Sequence, residues 1–218
     1  MLVRNRVFGL VKFGIIIAVI SLLSGCWWWG YALWSGPPMR AAKDCSTWTS
    51  SEVGSASKEG NRQRVKKIIQ SAGPERASTI KNAMLAASAC GQQVIIDDLL
   101  EEGVDFSDDG SDMPFLFRLS AAAKPEILDY ILNRVDVNLN LKISPAGFTA
   151  LHWIVCGDDA QYKNIRILLK HGANFNAIDS AGRTPLMVAQ GCKDQSSISL
   201  FREYENGIES RKLHPHGR

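Results

Sequence analysis

The chain has 218 residues, with 25 Lys and Arg against 22 Asp and Glu and a formal net charge of +3. Arg4, Arg6 and Lys12 lie in the first 26 residues, which carry no acidic side chain, so the remainder is charge-balanced and makes no case for nucleic-acid binding. About 170 residues beyond the apolar start suffice for one domain with a real core.

The first element, residues 1–34, pairs those three cations with a run from Phe13 to Leu23 that is apolar apart from Ser21, the n-region and h-region of an export signal. The cations stay in the cytoplasm by the positive-inside rule, so everything after residue 35 is expected on the far side of a membrane. Two tethers fit. Leu23-Ser24-Gly25-Cys26 resembles the lipobox of bacterial lipoproteins, which would make Cys26 a lipidation site. Alternatively Phe13 to Trp34 would span about 33 Å as one uncleaved transmembrane helix, with Trp27, Trp28, Trp29, Tyr31 and Trp34 at the outer interface. Both readings place the domain in the periplasm, membrane-anchored to the cell envelope, behind a linker at 35–51.

The next elements are helical. RQRVKKIIQSAG, Arg62 to Gly73, has the spacing of one amphipathic helix, and residues 52–73 read as a half repeat. LAASACG from Leu85 lies over LHWIVCG from Leu151, and VIIDDLLEEGVDF from Val94 has the same shape as NIRILLKHGANFN from Asn164. Between them a degenerate copy keeps Pro114 at a helix start. GFTALHWIVCG from Gly147 recurs as GRTPLMVAQGC from Gly182, with Gly, Thr and Leu in register. The residue types have mechanical reasons: Gly147 and Gly182 take the positive φ of a turn, Thr149 and Thr184 cap a helix, and Pro185 suits its first position. Gly172 ends a second helix in the left-handed conformation.

These motifs resemble the ankyrin repeat, whose first helix opens on T-P-L-H-x-A after a glycine. The resemblance implies an all-α solenoid of helix pairs joined by short hairpin-like fingers. The repeats fall at 74–106, 107–143, 144–178 and 179–206 within a domain at 52–206, and a flexible tail follows at 207–218. Stacking consumes the core positions, because a single helix pair cannot bury its apolar face alone.

Four cysteines remain beyond Cys26. Two repeats separate Cys90 from Cys156, putting their Cα atoms about 16 to 20 Å apart, beyond disulfide reach. Cys156 and Cys192 close adjacent first helices and are reachable, and Cys45 then closes onto Cys90; four buried free thiols are the alternative.

Chemistry has few candidates. His152 sits at the histidine of T-P-L-H, where the resemblance implies a hydrogen-bonded tie between loops, and no nucleophile accompanies it. Asp105, Ser107, Asp109 and Gly110 follow a calcium loop, but Leu116 stands where the bidentate glutamate belongs. His214 and His216 lie in the tail. The expectation is no catalysis, no metal and no cofactor.

Function then follows from surface complementarity, and the resemblance implies binding of another protein. The finger residues expected at the partner are Phe106, Asp108, Asp109 and Asp112, then Asn138, Asn140 and Lys142, then Asn176, Asp179, Ser180 and Arg183. The acidic finger should prefer a basic partner. In architecture and address the chain resembles small envelope immunity proteins that neutralise toxins delivered by type VI secretion. The alternative is a structural scaffold of an envelope complex.

Overall fold

The computed structural model describes Cys45 and residues 51–107, 113–143 and 145–213, apart from the side chains of residues 160 and 208–213. The chain divides into two units, Met1–Arg40 and Ala41–Arg218, and all described residues lie in the second. The expected anchor and Cys26 lie outside the described residues. Among those described, no helix is long and apolar enough to cross a membrane.

Ten α-helices follow in the described chain: α1 Glu52–Lys58, α2 Arg62–Ser71, α3 Arg76–Cys90, α4 Gln93–Glu101, α5 Phe115–Ala122, α6 Pro125–Leu132, α7 Ala150–Ile154, α8 Asp159–Lys170, α9 Pro185–Cys192 and α10 Gln195–Leu213. The odd-numbered helices stack in the order α1, α3, α5, α7, α9, and α6, α8 and α10 stack beside them. One row of core side chains runs through this order, including Ile69, Met84, Ile96, Phe117, Leu128, Leu151, Leu168 and Phe201.

The segment expected as a half repeat is a complete helix pair. Its first helix, EVGSASK, buries Val53 and the small residues Gly54, Ala56 and Ser57, so it carries no apolar period to be read in sequence. Small side chains let it approach α3, whose Ala83, Ala86, Ala87 and Ala89 are buried in turn. Helix α10 continues to Leu213, past the expected repeat end at 206, and residues 214–218 lie outside the described residues.

Caps set the helix starts. Ser51, Asn61, Asp158 and Thr184 each accept a hydrogen bond from a backbone N–H three residues on, satisfying donors that the first turn leaves without partners. Between α6 and α7 the chain doubles back through the antiparallel bridge of Ile143 with Phe148, the hairpin element of a finger. Gly147 turns this hairpin at φ +68°, and a Cβ there would stand 2.8 Å from Ser180 Oγ and 2.9 Å from Ser180 N. Gly147→Ala therefore combines left-handed strain with a backbone clash. We expect a loss of about 1–3 kcal/mol, read as a lower urea midpoint at unchanged m value.

Two disulfides tie the domain. Cys45 and Cys90 are joined at a Cα separation of 4.8 Å, holding the segment before α1 to the end of α3. Cys156 and Cys192 are joined at 6.0 Å, linking the ends of α7 and α9 in neighbouring repeats.

Candidate protein-binding surface

The surface is built from the loop 133–149 between α6 and α7, the loop 171–184 between α8 and α9, and the helices that follow them. Each loop opens on an Asx turn: Asn138 Oδ1 accepts from the Asn140 N–H at 3.0 Å, and Asn174 Oδ1 accepts from the Asn176 N–H at 2.9 Å. The repetition of this turn 36 residues on gives both loops one local shape.

Much of what was expected to meet a partner instead joins loop to loop. The Asn140 carboxamide accepts from the Asn174 N–H at 2.8 Å, and Lys142 Nζ donates to the Ile178 carbonyl at 2.8 Å. Ser180 donates through Oγ to the Pro145 carbonyl at 2.6 Å, and through its backbone N–H to Ala146 at 2.9 Å.

Asp179, expected to be exposed, is 5% exposed. Its carboxylate accepts from the backbone N–H groups of Ala181 and Arg183 and from Arg183 Nε, each at 2.8 Å. Burial alone would raise the Asp179 carboxyl, but the Arg183 N–H and guanidinium and the Ala181 N–H outweigh it and hold it below the usual range. The Arg183 guanidinium is thereby committed to Asp179, 5.9 Å from the centre of the Phe148 ring. Both residues build the loop that a partner would meet.

Asn138, Asn140, Lys142, Asn176 and Ser180 nonetheless remain exposed. Phe106 is half-buried, its ring 5.4 Å from that of Phe115, so it extends the core rim. Asp108, Asp109 and Asp112 lie outside the described residues. Basic side chains within residues 58–81 pair with acidic ones within residues 97–112: Arg62 grips Asp98 through two bonds of 2.6 and 2.5 Å, and Arg76 pairs with Glu102.

Sequence reasoning passed over two exposed apolar side chains, Ile178 at 53% and Met187 at 52% exposure. Met187 stands three residues after Thr184, as His152 stands three after Thr149. His152 is covered by the loop that follows α8, whereas among the described residues no loop follows α10 to cover Met187. That position in the register was the signal for it.

His152 shows how one loop is fixed to the next. The Thr149 N–H donates to Nδ1 at 3.2 Å, and Nε2 lies 2.9 Å from the Arg183 carbonyl. Nδ1 is thus the acceptor and Nε2 carries the proton toward Arg183, the neutral tautomer that both partners require. Burial pushes the imidazole below its ordinary pKa, against the opposing pull of the Arg183 carbonyl.

The unfolded chain takes up this proton near pH 6.5 and the folded chain does so only lower. Stability from His152 is therefore fully present above about pH 6.5 and is lost as pH falls through the folded value. Urea midpoints at pH 7.5 and 5.0 should converge in His152→Ala relative to the parent chain. An equal acid loss in both would contradict the neutral assignment.

Among the described residues no group of three or more His, Cys, Asp or Glu side chains is placed to hold a metal ion.

The family model for ankyrin repeats (3 copies) matches residues 116–210. Among curated proteins, the RelA-associated inhibitor of Mus musculus is 39% identical over 101 residues, 46% of this chain and 12% of its own length. A Fowlpox virus (strain NVSL) protein named for its ankyrin repeats, FPV234, is 39% identical over 64 residues, 29% of this chain and 14% of its own. The chain thus spans only a small part of the length of the curated relatives it matches. Residues 116–210 of this chain thus carry ankyrin repeats, which form a protein-binding module.

Proposed function

We propose that this chain binds another protein at the bacterial cell envelope, with its repeat domain in the periplasm, and that it neutralises a secreted toxin by occupying it. The observation that carries the address is the pair of disulfides, Cys45–Cys90 and Cys156–Cys192, which use every cysteine beyond Cys26. Such bonds persist in oxidising compartments and are rare in the cytosol. The cationic start and apolar run of residues 1–34 supply the route there, through a lipid on Cys26 or an uncleaved transmembrane helix.

Mode of action follows from the surface. Loop residues are locked to each other through Asn140, Lys142, Ser180 and Asp179. A rigid surface of this kind loses little conformational freedom on binding, which favours affinity. Exposed Ile178 and Met187 supply apolar contact area beside the polar Asn176. The mouse relative is named as an inhibitor, in keeping with a chain that acts by occupying another protein; its 12% coverage and mammalian source leave the address to the cysteines and the N-terminus.

Affinity purification from the envelope fraction, with thiols alkylated at lysis, tests the reading. The expected result is one stoichiometric toxin-like partner and four oxidised cysteines. Several resident membrane proteins in place of one partner would favour a structural scaffold, and free thiols in a cytosolic fraction would sink the address. Cys26→Ala separates the tethers: it abolishes processing and lipid labelling if the lipobox is used and leaves the mass of the chain otherwise unchanged if the helix is retained.

A further inference from the structure

The two disulfides differ in their surroundings. Cys45 and Cys90 are half-buried, and the Lys124 ammonium donates to the Cys90 carbonyl at 3.2 Å, laying its stem over Gly91. Cys156 and Cys192 are both exposed. Among the described residues, two that bear a side chain take a positive φ, Cys156 at +72° and Lys193 at +60°. The first is in this bond and the second adjoins it. The left-handed region is unfavourable for a residue with a Cβ, which stays there only where its surroundings hold it. Here a covalent bond across the ends of α7 and α9 does so.

What hangs on Cys156 reaches beyond the bond. Its N–H donates to Asp194 Oδ2 at 3.3 Å, while Asp194 Oδ1 accepts from the Ser197 N–H at 3.1 Å and so caps α10. The start of α10 is therefore tied to the backbone of Cys156. At the loop end of the same repeat the ties are His152 to the Arg183 carbonyl at 2.9 Å and Ser180 to the Pro145 carbonyl at 2.6 Å. This repeat is the last of the described chain. A terminal repeat has a neighbour on one side only, so each tie counts for more there.

We propose that Cys156–Cys192 is a thiol-exchange site, opened by a dithiol ahead of Cys45–Cys90, and that its opening frees α9 and the start of α10. A thiolate of the dithiol forms a bond to the Cys156 sulfur, the Cys156–Cys192 bond breaks, and Cys192 leaves as a thiolate that takes up a proton. Charge sets this direction, because the Asp194 carboxylate held at the Cys156 N–H disfavours a second negative charge on Cys156. The second thiol then attacks the dithiol sulfur of the mixed disulfide, and Cys156 leaves and is protonated. Two electrons and two protons pass to the chain, and the dithiol becomes a disulfide. Exposed and strained bonds are the ones that exchange in this way. Ile178 and Met187 lie in the repeat that is freed, so opening weakens the hold on a partner; this consequence rests on the protein-binding reading.

The probe is dithiothreitol, applied to the full chain in detergent micelles as a series of reduced-to-oxidised ratios, with thiols then alkylated and located by peptide mass. Cys156 and Cys192 should become alkylated together at a ratio at least about tenfold below that for Cys45 and Cys90. Between those ratios, amide hydrogen exchange should find α9 and the first turn of α10 unprotected and α3 to α6 unchanged. Brief treatment with the monothiol glutathione, followed by alkylation, should leave the glutathionyl group on Cys156.

Simultaneous reduction of the two bonds, earlier reduction of Cys45–Cys90, or protection lost evenly across the domain would overturn the proposal. Glutathione found on Cys192 would overturn the direction of attack. A partner held equally by the oxidised and the selectively reduced chain would sink the link to binding and leave protein binding standing. Selective opening with no partner held by either form would do the reverse.

Discussion

Reducing the two disulfides should leave the domain at the edge of unfolding. The bonds close sequence separations of 45 and 36 residues. In the chain-entropy account, loops of this size destabilise the unfolded chain by about 4 kcal/mol each, and measured effects usually fall between about 2 and 4 kcal/mol. Against a total stability of about 5–15 kcal/mol, losing both removes a large part of the whole.

The paired substitution Cys156→Ser with Cys192→Ser should therefore lower unfolding free energy by about 2–4 kcal/mol. Cys156 occupies the left-handed region at φ +72°, a position that no replacement other than glycine relieves. Urea unfolding of the full chain with and without reductant checks this, and curves that superimpose would show that the bonds contribute nothing. The result bears on function, because a domain that needs both bonds matures where thiols are oxidised.

The parts of this fold legible in sequence were those imposed on the local backbone. Gly147 and Gly182 announced positive φ, and the structure has +68° and +73° at those positions. Thr149 and Thr184 announced helix starts, and α7 and α9 begin one residue after them. Helix α1 was missed because it buries glycine, alanine and serine, residues that carry no apolar period. Asp179 was misjudged because its exposure depends on how the loop closes on itself, and a carboxylate wrapped by Ala181 and Arg183 reads in sequence like any loop aspartate. Asn164 was not legible, since what matters about it is a pair of carbonyl acceptors some forty residues away, those of Ser120 and Ala123.

Asn164→Asp should be among the most damaging single changes, and its damage should depend on pH. Asn164 is fully buried in α8, and its Nδ2 donates to the carbonyls of Ser120 and Ala123, each at 2.9 Å, fastening α8 to the end of α5. An ionised carboxylate has no proton to give either carbonyl, and it places a charge against two acceptors without any cation shown there. Leaving a buried charge uncompensated costs about 3–5 kcal/mol. Protonation removes the charge and restores one donor, so the remaining penalty near pH 4 is about 1–2 kcal/mol.

The introduced carboxyl thus has a folded-state pKa raised above its unfolded value near 3.9. With the folded value raised, the variant is least impaired below the unfolded pKa, and its deficit grows as pH rises through the folded one. The parent chain runs the other way, because the lowered pKa values of Asp98, Asp129 and Asp179 make it lose stability as pH falls below the unfolded carboxyl value. Unfolding free energies of both chains at pH 4 and 7.5 should therefore differ least in acid. A penalty below about 1 kcal/mol at pH 7.5, or one that does not change with pH, would mean that Asn164 does not hold α8 to α5 through these two carbonyls.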